Sequence, residues 1–177
     1  MAVQSIDLEQ VVDKVVSLLE ASLPAKIAEI NTLKGATDTL ICDEPAAYYF
    51  GLRILDTVIG ESGGPVVEVT TTNIEGLEFN NGLSKEEISI IINLHLWEPD
   101  DTFQEIERKT YRYGRALREV MSDEIIRREF FPPSSNIKDS VITGTEFTML
   151  DQIGTTYVKT VTLRLKLIQY LGYTQLI

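Results

Sequence analysis

The clearest pattern in the chain is an alternation of apolar and polar residues between Glu87 and Trp97. Side chains two positions apart lie on the same face of a β-strand, so this alternation predicts a strand with one apolar face. That face consists of Ile88, Ile90, Ile92, Leu94 and Leu96. Pro99 removes a backbone donor and ends the strand, and Thr102 and Glu105 have the spacing of a helix capping box. The pattern therefore predicts a long strand followed closely by a helix.

Apolar residues at helical spacing predict two amphipathic helices. The first begins at Asp7, with Gln10 as its capping-box partner, and Pro24 predicts that it ends near Leu23. Its apolar face is formed by Leu8, Val11, Val12, Val15, Leu18 and Leu19. The second helix begins at Thr102. Its apolar face is formed by Phe103, Ile106, Thr110, Tyr113, Leu117, Val120 and Met121.

Three further segments have the composition of strands. Pro65–Thr72 is rich in β-branched residues, and the turn sequence Asn80–Gly82 predicts that this segment pairs antiparallel with the long strand. Two more strands are predicted at about Asp139–Met149 and Thr156–Gln169, separated by a turn at Asp151–Gly154. The resulting order is α-β-β-α-β-β. It predicts an α+β fold with a mainly antiparallel sheet and helices packed on one face.

Residues 25–59 have the least regular pattern. Ile27, Ile30 and Leu33 fit a short helix, and Lys34–Gly35 fits a turn after it. The aromatic run Tyr48–Phe50 fits either a strand or an interaction loop.

The composition is that of one globular domain, predicted to span residues 1–177. Hydrophobic residues make up 44% and charged residues 24% of the 177 positions, so global disorder is not expected. No secretion signal and no apolar run long enough to span a membrane is evident. The single Cys42 excludes an internal disulfide and a zinc site with several thiolates, and we expect it to be a small buried apolar residue.

The charged residues are unevenly distributed along the chain. The net charge is −11, and residues 1–101 contain 18 acidic and 5 basic residues, whereas the remainder contains 9 acidic and 11 basic residues. Affinity for duplex DNA rests on neutralisation of phosphates by cationic side chains. The sequence therefore predicts that DNA is not bound tightly, although DNA could still pass along such a surface.

A metal site can be imagined around His95. Imidazole and carboxylate groups are suitable ligands, and Glu98, Asp100 and Asp101 follow closely in the sequence. His95, however, belongs to the strand face opposite the aliphatic stripe. The acidic residues are equally well explained as a polar break at a helix N-terminus, where negative charge is favourable.

Other catalytic signatures are missing from the sequence. Gly60–Pro65 is rich in glycine but lacks the Lys-Ser/Thr ending of a phosphate-binding loop and precedes a strand. There is no Gly-x-Ser-x-Gly motif, and one histidine leaves little choice of acid–base partners. We therefore expect no catalytic residues, no bound metal and no cofactor, and hence a protein that is not an enzyme.

The second predicted helix carries a row of arginines. Arg108, Arg112 and Arg115 are spaced four and three apart and share one helix face. This face is either solvated, with Glu105 and Glu119 as intrahelical partners, or a docking strip for an acidic partner such as a second copy of the chain. Guanidinium groups suit such an interface because they pair with carboxylates through two hydrogen bonds.

The order of elements resembles that of the tail terminator proteins of tailed bacteriophages. The similarity rests on an N-terminal amphipathic helix, the Pro-initiated strand Pro65–Thr72, and the long strand and Pro-containing turn of Glu87–Asp101. It continues with a long helix ending in Glu-Val-Met-Ser-Asp123 and a strand at Thr156–Lys166, and it covers about Ser5 to Ile168.

This resemblance implies a structural virion protein. Its members are α/β proteins that form a hexameric ring on the last ring of the tail tube, stop tube polymerisation and present their other face to the head-proximal neck. In contractile-tailed phages the ring also contacts the sheath. The present sequence departs from the smallest members by the extra material in residues 25–59 and the crossing segment in residues 123–136.

The expected function is therefore a ring at the tail–neck junction of the virion, assembled in the host cytoplasm without a membrane. Its expected partners are further copies of the chain, the tail tube protein, a neck or connector protein and, in a contractile tail, the tail sheath. Candidate interface residues are Arg108, Arg112, Arg115, Tyr48, Tyr49 and Phe50. Candidate residues of the lumen through which DNA passes are Asp43, Glu44, Glu61, Glu75 and Glu78. The alternatives are another neck or connector component and a small metal-dependent enzyme.

Overall fold

A computed structural model of the chain describes residues 8–51, 64–78, 83–99, 103–123 and 137–172. These residues form two helices and six strands. In chain order these are α1 (Leu8–Gly35), β1 (Ala47–Phe50), β2 (Val66–Glu78), β3 (Leu83–Pro99), α2 (Phe103–Ser122), β4 (Ile137–Phe147), β5 (Asp151–Ile153) and β6 (Thr156–Gly172). The predicted α+β class is confirmed.

One mostly antiparallel sheet contains all six strands. Its order is β1-β2-β3-β6-β4, and β5 pairs with the beginning of β6 on the same side as β4. The pair of β1 and β2 is parallel, and the other described pairs are antiparallel. The predicted pairing of β2 with β3 is confirmed, with Val69 opposite Ile92, which in turn lies opposite Leu163 of β6.

The hydrophobic core lies between the two helices and one face of the sheet, here called the helix face. The aliphatic stripe of β3 is buried there, as the alternation predicted. The matching stripe of β6 is also buried and consists of Val161, Leu163, Leu165 and Leu167. Opposite these strands lie Leu18 and Leu19 of α1 and Leu117 of α2. Burial of this apolar surface is the main term that stabilises the layer arrangement.

Helix α1 is longer than the sequence predicts. It continues through Pro24 and ends at Gly35, so the predicted end near Leu23 and the separate short helix are wrong. Pro24 removes one backbone hydrogen bond, yet the apolar stripe continues beyond it through Ile27 and Ile30, both almost fully buried. The free energy gained by burying these two isoleucines outweighs the cost of the lost backbone hydrogen bond. The predicted turn does follow, because the amides of Thr37 and Asp38 both donate to the Lys34 carbonyl.

Two short strands complete the sheet. Tyr48–Phe50 lies in β1, which decides between the strand and loop interpretations. The turn predicted at Asp151–Gly154 is shorter than expected, because Asp151–Ile153 forms β5. The chain turns at Gly154, which has a positive φ of 64° and joins β5 to β6 in a tight hairpin. The predicted caps at Asp7 and Thr102 lie outside the described residues, as do the turn at Asn80–Gly82 and most of the crossing segment.

Among the described residues, no helix packs on the opposite face of the sheet, here called the helix-free face. It carries mainly polar side chains joined across strands. Thr162 donates to the Asn93 side chain at 2.8 Å, and Glu87 accepts from Lys85 at 2.9 Å and from Lys166 at 3.0 Å. Neither described helix is long and apolar enough to cross a membrane.

Candidate functional site

Arg112 does not belong to an exposed strip, contrary to the sequence prediction. It is only 7% exposed, and its side chain extends from α2 to the loop that follows α1. Its guanidinium donates to both carboxylate oxygens of Asp38 and to the carbonyl of Leu40. The hydrogen bond from Arg112 holds the pKa of the Asp38 carboxyl below its usual value. The helical spacing placed the three arginines on one face. It could not show that the loop after α1 covers Arg112, the middle one of the three.

Arg108 and Arg115 are exposed, as predicted. The Nε of Arg115 donates to Glu119 at 2.6 Å, one helical turn away, and this hydrogen bond raises the pKa of Arg115. The predicted intrahelical partner of Arg115 is thus confirmed. An assembly role for Arg108 and Arg115 stays a prediction.

The aromatic residues of β1 divide between the two faces of the sheet. Tyr48 and Phe50 share the helix face, and Tyr49 between them points to the helix-free face. Tyr48 packs against the core, and burial is the main cause that raises the pKa of its hydroxyl above the usual value. Phe50 is 53% exposed at the end of β1, so it is available for contact with another molecule.

The candidate lumen residues do not form one cluster within a subunit. The loop with Asp43 and Glu44 approaches Gly64 at the beginning of β2, whereas Glu75 lies near the other end of that strand. At roughly 3.3 Å per residue, Val66 and Glu75 are about 30 Å apart. Glu61 lies outside the described residues, as does the side chain of Glu78.

His95 is buried in a hydrogen-bonded chain on the helix-free face. Its Nε2 lies 2.9 Å from a carboxylate oxygen of Glu68, and its Nδ1 lies 2.8 Å from the hydroxyl of Thr160. With the proton on Nε2, the imidazole donates to Glu68 and accepts from Thr160. Both ring nitrogens are therefore satisfied within the sheet.

Of the carboxylates imagined as metal ligands beside His95, the described one does not face it. Glu98 has the parity of the opposite strand face, where it accepts a hydrogen bond from Lys109 of α2. Asp100 and Asp101 lie outside the described residues. No group of three potential ligands is found among the described residues.

The order hydroxyl, imidazole, carboxylate also occurs in nucleophilic triads. Here all three side chains sit on paired strands in the middle of a sheet, with Thr160 directly opposite His95. The backbone amides beside them take part in the strand ladder, so they are not arranged as an oxyanion site. The arrangement is best explained as a satisfied polar network that fixes the register of β2, β3 and β6.

A groove that the sequence analysis missed lies between α2 and the edge strand β4. We call it the edge groove, and its volume is about 450 Å³. It is lined by Tyr111, Gly114, Arg115, Arg118, Glu119, Thr145 and Phe147. The rings of Tyr111 and Phe147 meet edge to face, with centroids 5.1 Å apart and planes at 74°. This aromatic pair forms the apolar wall of the groove.

Gly114 allows the aromatic ring of Phe147 to lie against α2. A Cβ atom placed on Gly114 would be only 2.9 Å from Cε1 of Phe147. A glycine in the middle of a helix costs stability, so its presence indicates a packing reason. This was the signal in the sequence that could have located the groove.

Apolar side chains are exposed along the same edge of the sheet. Tyr111 is 53% and Met149 is 90% exposed, and the others are Val141, Phe147 and Leu150. Within the described part of the chain, β4 pairs only with β6, so its outer side carries no further strand. An edge strand with exposed apolar side chains is a typical site of protein association.

Comparison of the sequence with protein-family models finds no matching family, and comparison with curated proteins finds no similar protein.

Proposed function

We propose that this protein is a structural subunit of the tailed-phage virion, which forms a ring on the end of the tail tube. The observation that carries the proposal is the apolar edge of the sheet, which consists of the edge groove and the exposed side chains of Met149 and Leu150 in the loop after β4. Exposed apolar side chains beside an edge strand are typical of protein contacts. We propose a tail terminator in particular because the order of elements resembles that of the tail terminator proteins.

The proposed mechanism is geometric. One face of the ring matches the end of the tube, and the other face offers no tube-like template, so that polymerisation ends there. The second face then receives the neck. Closed rotational symmetry allows one pair of subunit surfaces to be used repeatedly without leaving free ends. The resemblance implies six subunits, with the sheath as a further contact in a contractile tail.

The acidic character of the chain supports passage of DNA without attachment. The net charge is −11, and exposed carboxylates occur both in the loop of Asp43 and Glu44 and near the far end of β2 at Glu75. Cationic walls would hold the phosphates, because each neutralised phosphate strengthens binding. Tight and salt-sensitive binding of duplex DNA at physiological ionic strength would contradict a lumen of this kind.

Another neck or connector component is the second candidate, because the apolar edge would serve any ring at the tail–neck junction. The two candidates differ in their first partner. A tail terminator binds the end of the tube itself, whereas a connector component binds an already terminated tail.

Native mass spectrometry of the protein alone and mixed with its tail tube protein tests the proposal. We expect a closed ring of one defined copy number on tube ends, and tubes that no longer elongate. Negative-stain images should show the ring at one end of each tube. One or two copies per tail, or continued elongation in the presence of the protein, would overturn the proposal. Binding only to terminated tails would favour the connector alternative.

A further inference from the structure

We infer that β4 accepts one more strand from a partner protein, in which an apolar residue and an acidic residue stand two positions apart. The surface is the outer backbone of β4 at Thr145 and Phe147, here called the open edge, together with the edge groove beside it. The inference deepens the proposed function and rests on it for the presence of protein partners. The shape of the surface comes from the structure alone.

The backbone groups of the open edge point away from the sheet. The amide of Thr148 donates to the carbonyl of Thr160 at 3.0 Å, so the backbone of Thr148 faces β6. Successive residues of an antiparallel strand point their backbone groups to alternate sides, and that of Glu146 therefore also faces β6. The N–H and C=O groups of Thr145 and Phe147 point outward, where β4 has no further strand within the described part of the chain. An extended chain laid along this edge would pair with them.

This stretch of β4 lacks the features that usually protect an edge strand. Such features are bulges, prolines and charged side chains that point inward. A bulge lies between Ile142 and Gly144, but the register with β6 is regular from Gly144 to Phe147. The charged residue of this stretch, Glu146, lies on the helix-free face and pairs with Arg164. The open edge is therefore regular where it borders the groove.

An added strand would place side chains in the edge groove. Thr145 and Phe147 lie opposite the core residues Leu163 and Val161, so their side chains are on the helix face. Partner residues opposite these two positions would share that face. The ring of Phe147 packs against α2 and still is 41% exposed. An apolar side chain opposite Phe147 would cover the exposed part of this ring and the neighbouring Tyr111.

Arg118 favours a partner with an acidic residue on the same face. It lines the groove, is exposed and forms no ion pair within the described residues. Arg115 and Glu119 of the same groove pair with each other at 2.6 Å, which leaves Arg118 to bind a carboxylate from outside. The buried hydroxyl of Thr145 also has no hydrogen-bond partner among the described residues. Buried polar groups usually have partners, so this site is incomplete without an occupant.

A second copy of the chain fits the open edge less well than an acidic segment of another protein. Antiparallel pairing of two open edges would bring the Arg118 side chains of both copies to one face of a continuous sheet. Like charges on one face oppose such pairing. An acidic segment avoids this repulsion and gains the ion pair.

Two short peptides with blocked ends serve as probes, Thr-Val-Phe-Thr-Glu-Val-Thr and Thr-Val-Glu-Thr-Phe-Val-Thr. Both orders are used because parallel and antiparallel pairing reverse the order of the two side chains. The same peptides with Lys in place of Glu are the charge controls. Binding to the protein alone is measured by fluorescence anisotropy, and amide hydrogen exchange is measured by NMR. We expect one acidic peptide to bind and to slow exchange of the Thr145 and Phe147 amides.

Thr145→Pro and Thr145→Ala form a matched pair of variants. Proline removes the outward N–H and blocks an added strand without removing a donor to β6. Alanine removes the hydroxyl but keeps that N–H. We expect Thr145→Pro to abolish peptide binding and Thr145→Ala to weaken it much less. Circular dichroism and thermal melting check the fold of each variant.

Arg118→Glu is a second test that leaves the backbone of β4 unchanged. Since this side chain is exposed, the variant should fold as the wild type does. We expect it to bind the acidic peptide roughly five- to tenfold more weakly and to bind the Lys peptide more tightly. Equal affinity of Arg118→Glu and wild type for the acidic peptide would contradict the role of this arginine.

Three results would overturn the inference. They are failure of both acidic peptides to bind, binding that leaves exchange at Thr145 and Phe147 unchanged, and protection of these amides that rises with protein concentration without peptide. The last result would identify a second copy as the occupant. The proposed function fails separately. Peptide binding by a protein that forms no ring on tubes would remove the ring alone, whereas ring formation without peptide binding would remove the inference alone.

Discussion

Arg112 of α2 donates to both carboxylate oxygens of Asp38, 74 positions earlier in the chain. The same guanidinium also donates to the carbonyl of Leu40. These hydrogen bonds hold the loop that leaves α1 against α2, and this loop leads directly into β1. The position of β1 therefore depends in part on a buried arginine, together with the hydrogen bonds from Asn31 to Cys42 and from Tyr113 to the Asp43 carbonyl.

We expect Arg112→Ala to lower the free energy of unfolding. The change leaves the partly buried Leu40 carbonyl without its donor and opens the space that the arginine filled, a loss of about 2 kcal/mol. Arg112→Lys should recover part of the lost free energy of unfolding, because an ammonium group keeps the charge but cannot form the bidentate hydrogen bonds of a guanidinium. Urea denaturation followed by circular dichroism measures both values. Equal stability of wild type and Arg112→Ala would show that water replaces these hydrogen bonds without cost.

Stability should fall as the solution is acidified below about pH 4.5. Hydrogen bonds from basic side chains lower the pKa of Asp38, Glu87, Glu107 and Glu146 below their ordinary values of 3.8 or 4.5. A carboxyl whose pKa is lower in the folded state contributes its full stabilisation above the unfolded pKa and loses it as the pH falls through the folded pKa.

The measurement is the urea midpoint between pH 7 and pH 3. The midpoint should stay nearly constant down to about pH 5 and decline steeply below it. Arg112→Ala should show a shallower decline, since one of the four carboxyls then has an ordinary pKa. A midpoint that rises on acidification would mean that repulsion among the many carboxylates outweighs the ion pairs of these four carboxyls.

Pro24→Ala should stabilise the protein. Alanine restores the backbone hydrogen bond that proline removes from the middle of α1, and the expected gain is about 1–3 kcal/mol. Thermal melting should show a higher Tm with the same helical content at 20 °C or below. The flanking Ala25→Gly provides the opposite control, because glycine at the neighbouring exposed position should lower Tm. An unchanged or lower Tm for Pro24→Ala would indicate that the proline ring itself packs productively.

His95→Ala should destabilise the sheet although His95 lies outside the helix-packed core. Glu68 is 3% exposed and would lose the imidazole donor, at a cost of about 1–3 kcal/mol. Thr160→Val removes only the hydroxyl at the other end of the chain and should cost less. Hydrogen exchange of the β2 and β3 amides would locate the effect, and it should be largest around the Glu68 and His95 pair. Identical exchange in His95→Ala and wild type would argue against a structural network.

The regular strands of the fold could be predicted from the sequence because their signal is local. Alternation in β3 reports directly on which side chains face the core, and its apolar stripe is buried as expected. Pro24 misled the prediction because a local rule was applied where tertiary burial of Ile27 and Ile30 decides the outcome. The proline alone does not reveal how deeply the residues on either side of it are buried.

The candidate surfaces were less predictable, since they depend on distant segments. Helical spacing alone could not show that the loop of Asp38 and Leu40 covers Arg112. The edge groove likewise requires that Phe147 of β4 meet Gly114 of α2. The mid-helix glycine indicates a close contact, but the local sequence does not specify that Phe147 makes it. By contrast, Phe50 was identified from its irregular surroundings and is exposed.

The burial of Cys42 offers a practical route to testing whether copies of the chain associate. It is almost fully buried, its amide and carbonyl are both hydrogen-bonded to the Asn31 side chain, and burial raises the pKa of its thiol to about 11. At neutral pH only about one thiol in ten thousand would be ionised at such a pKa. The native chain should therefore react very slowly with thiol-directed dyes. A single cysteine placed on the surface can carry a fluorophore without any prior replacement, so subunit exchange can be watched in an otherwise unaltered protein.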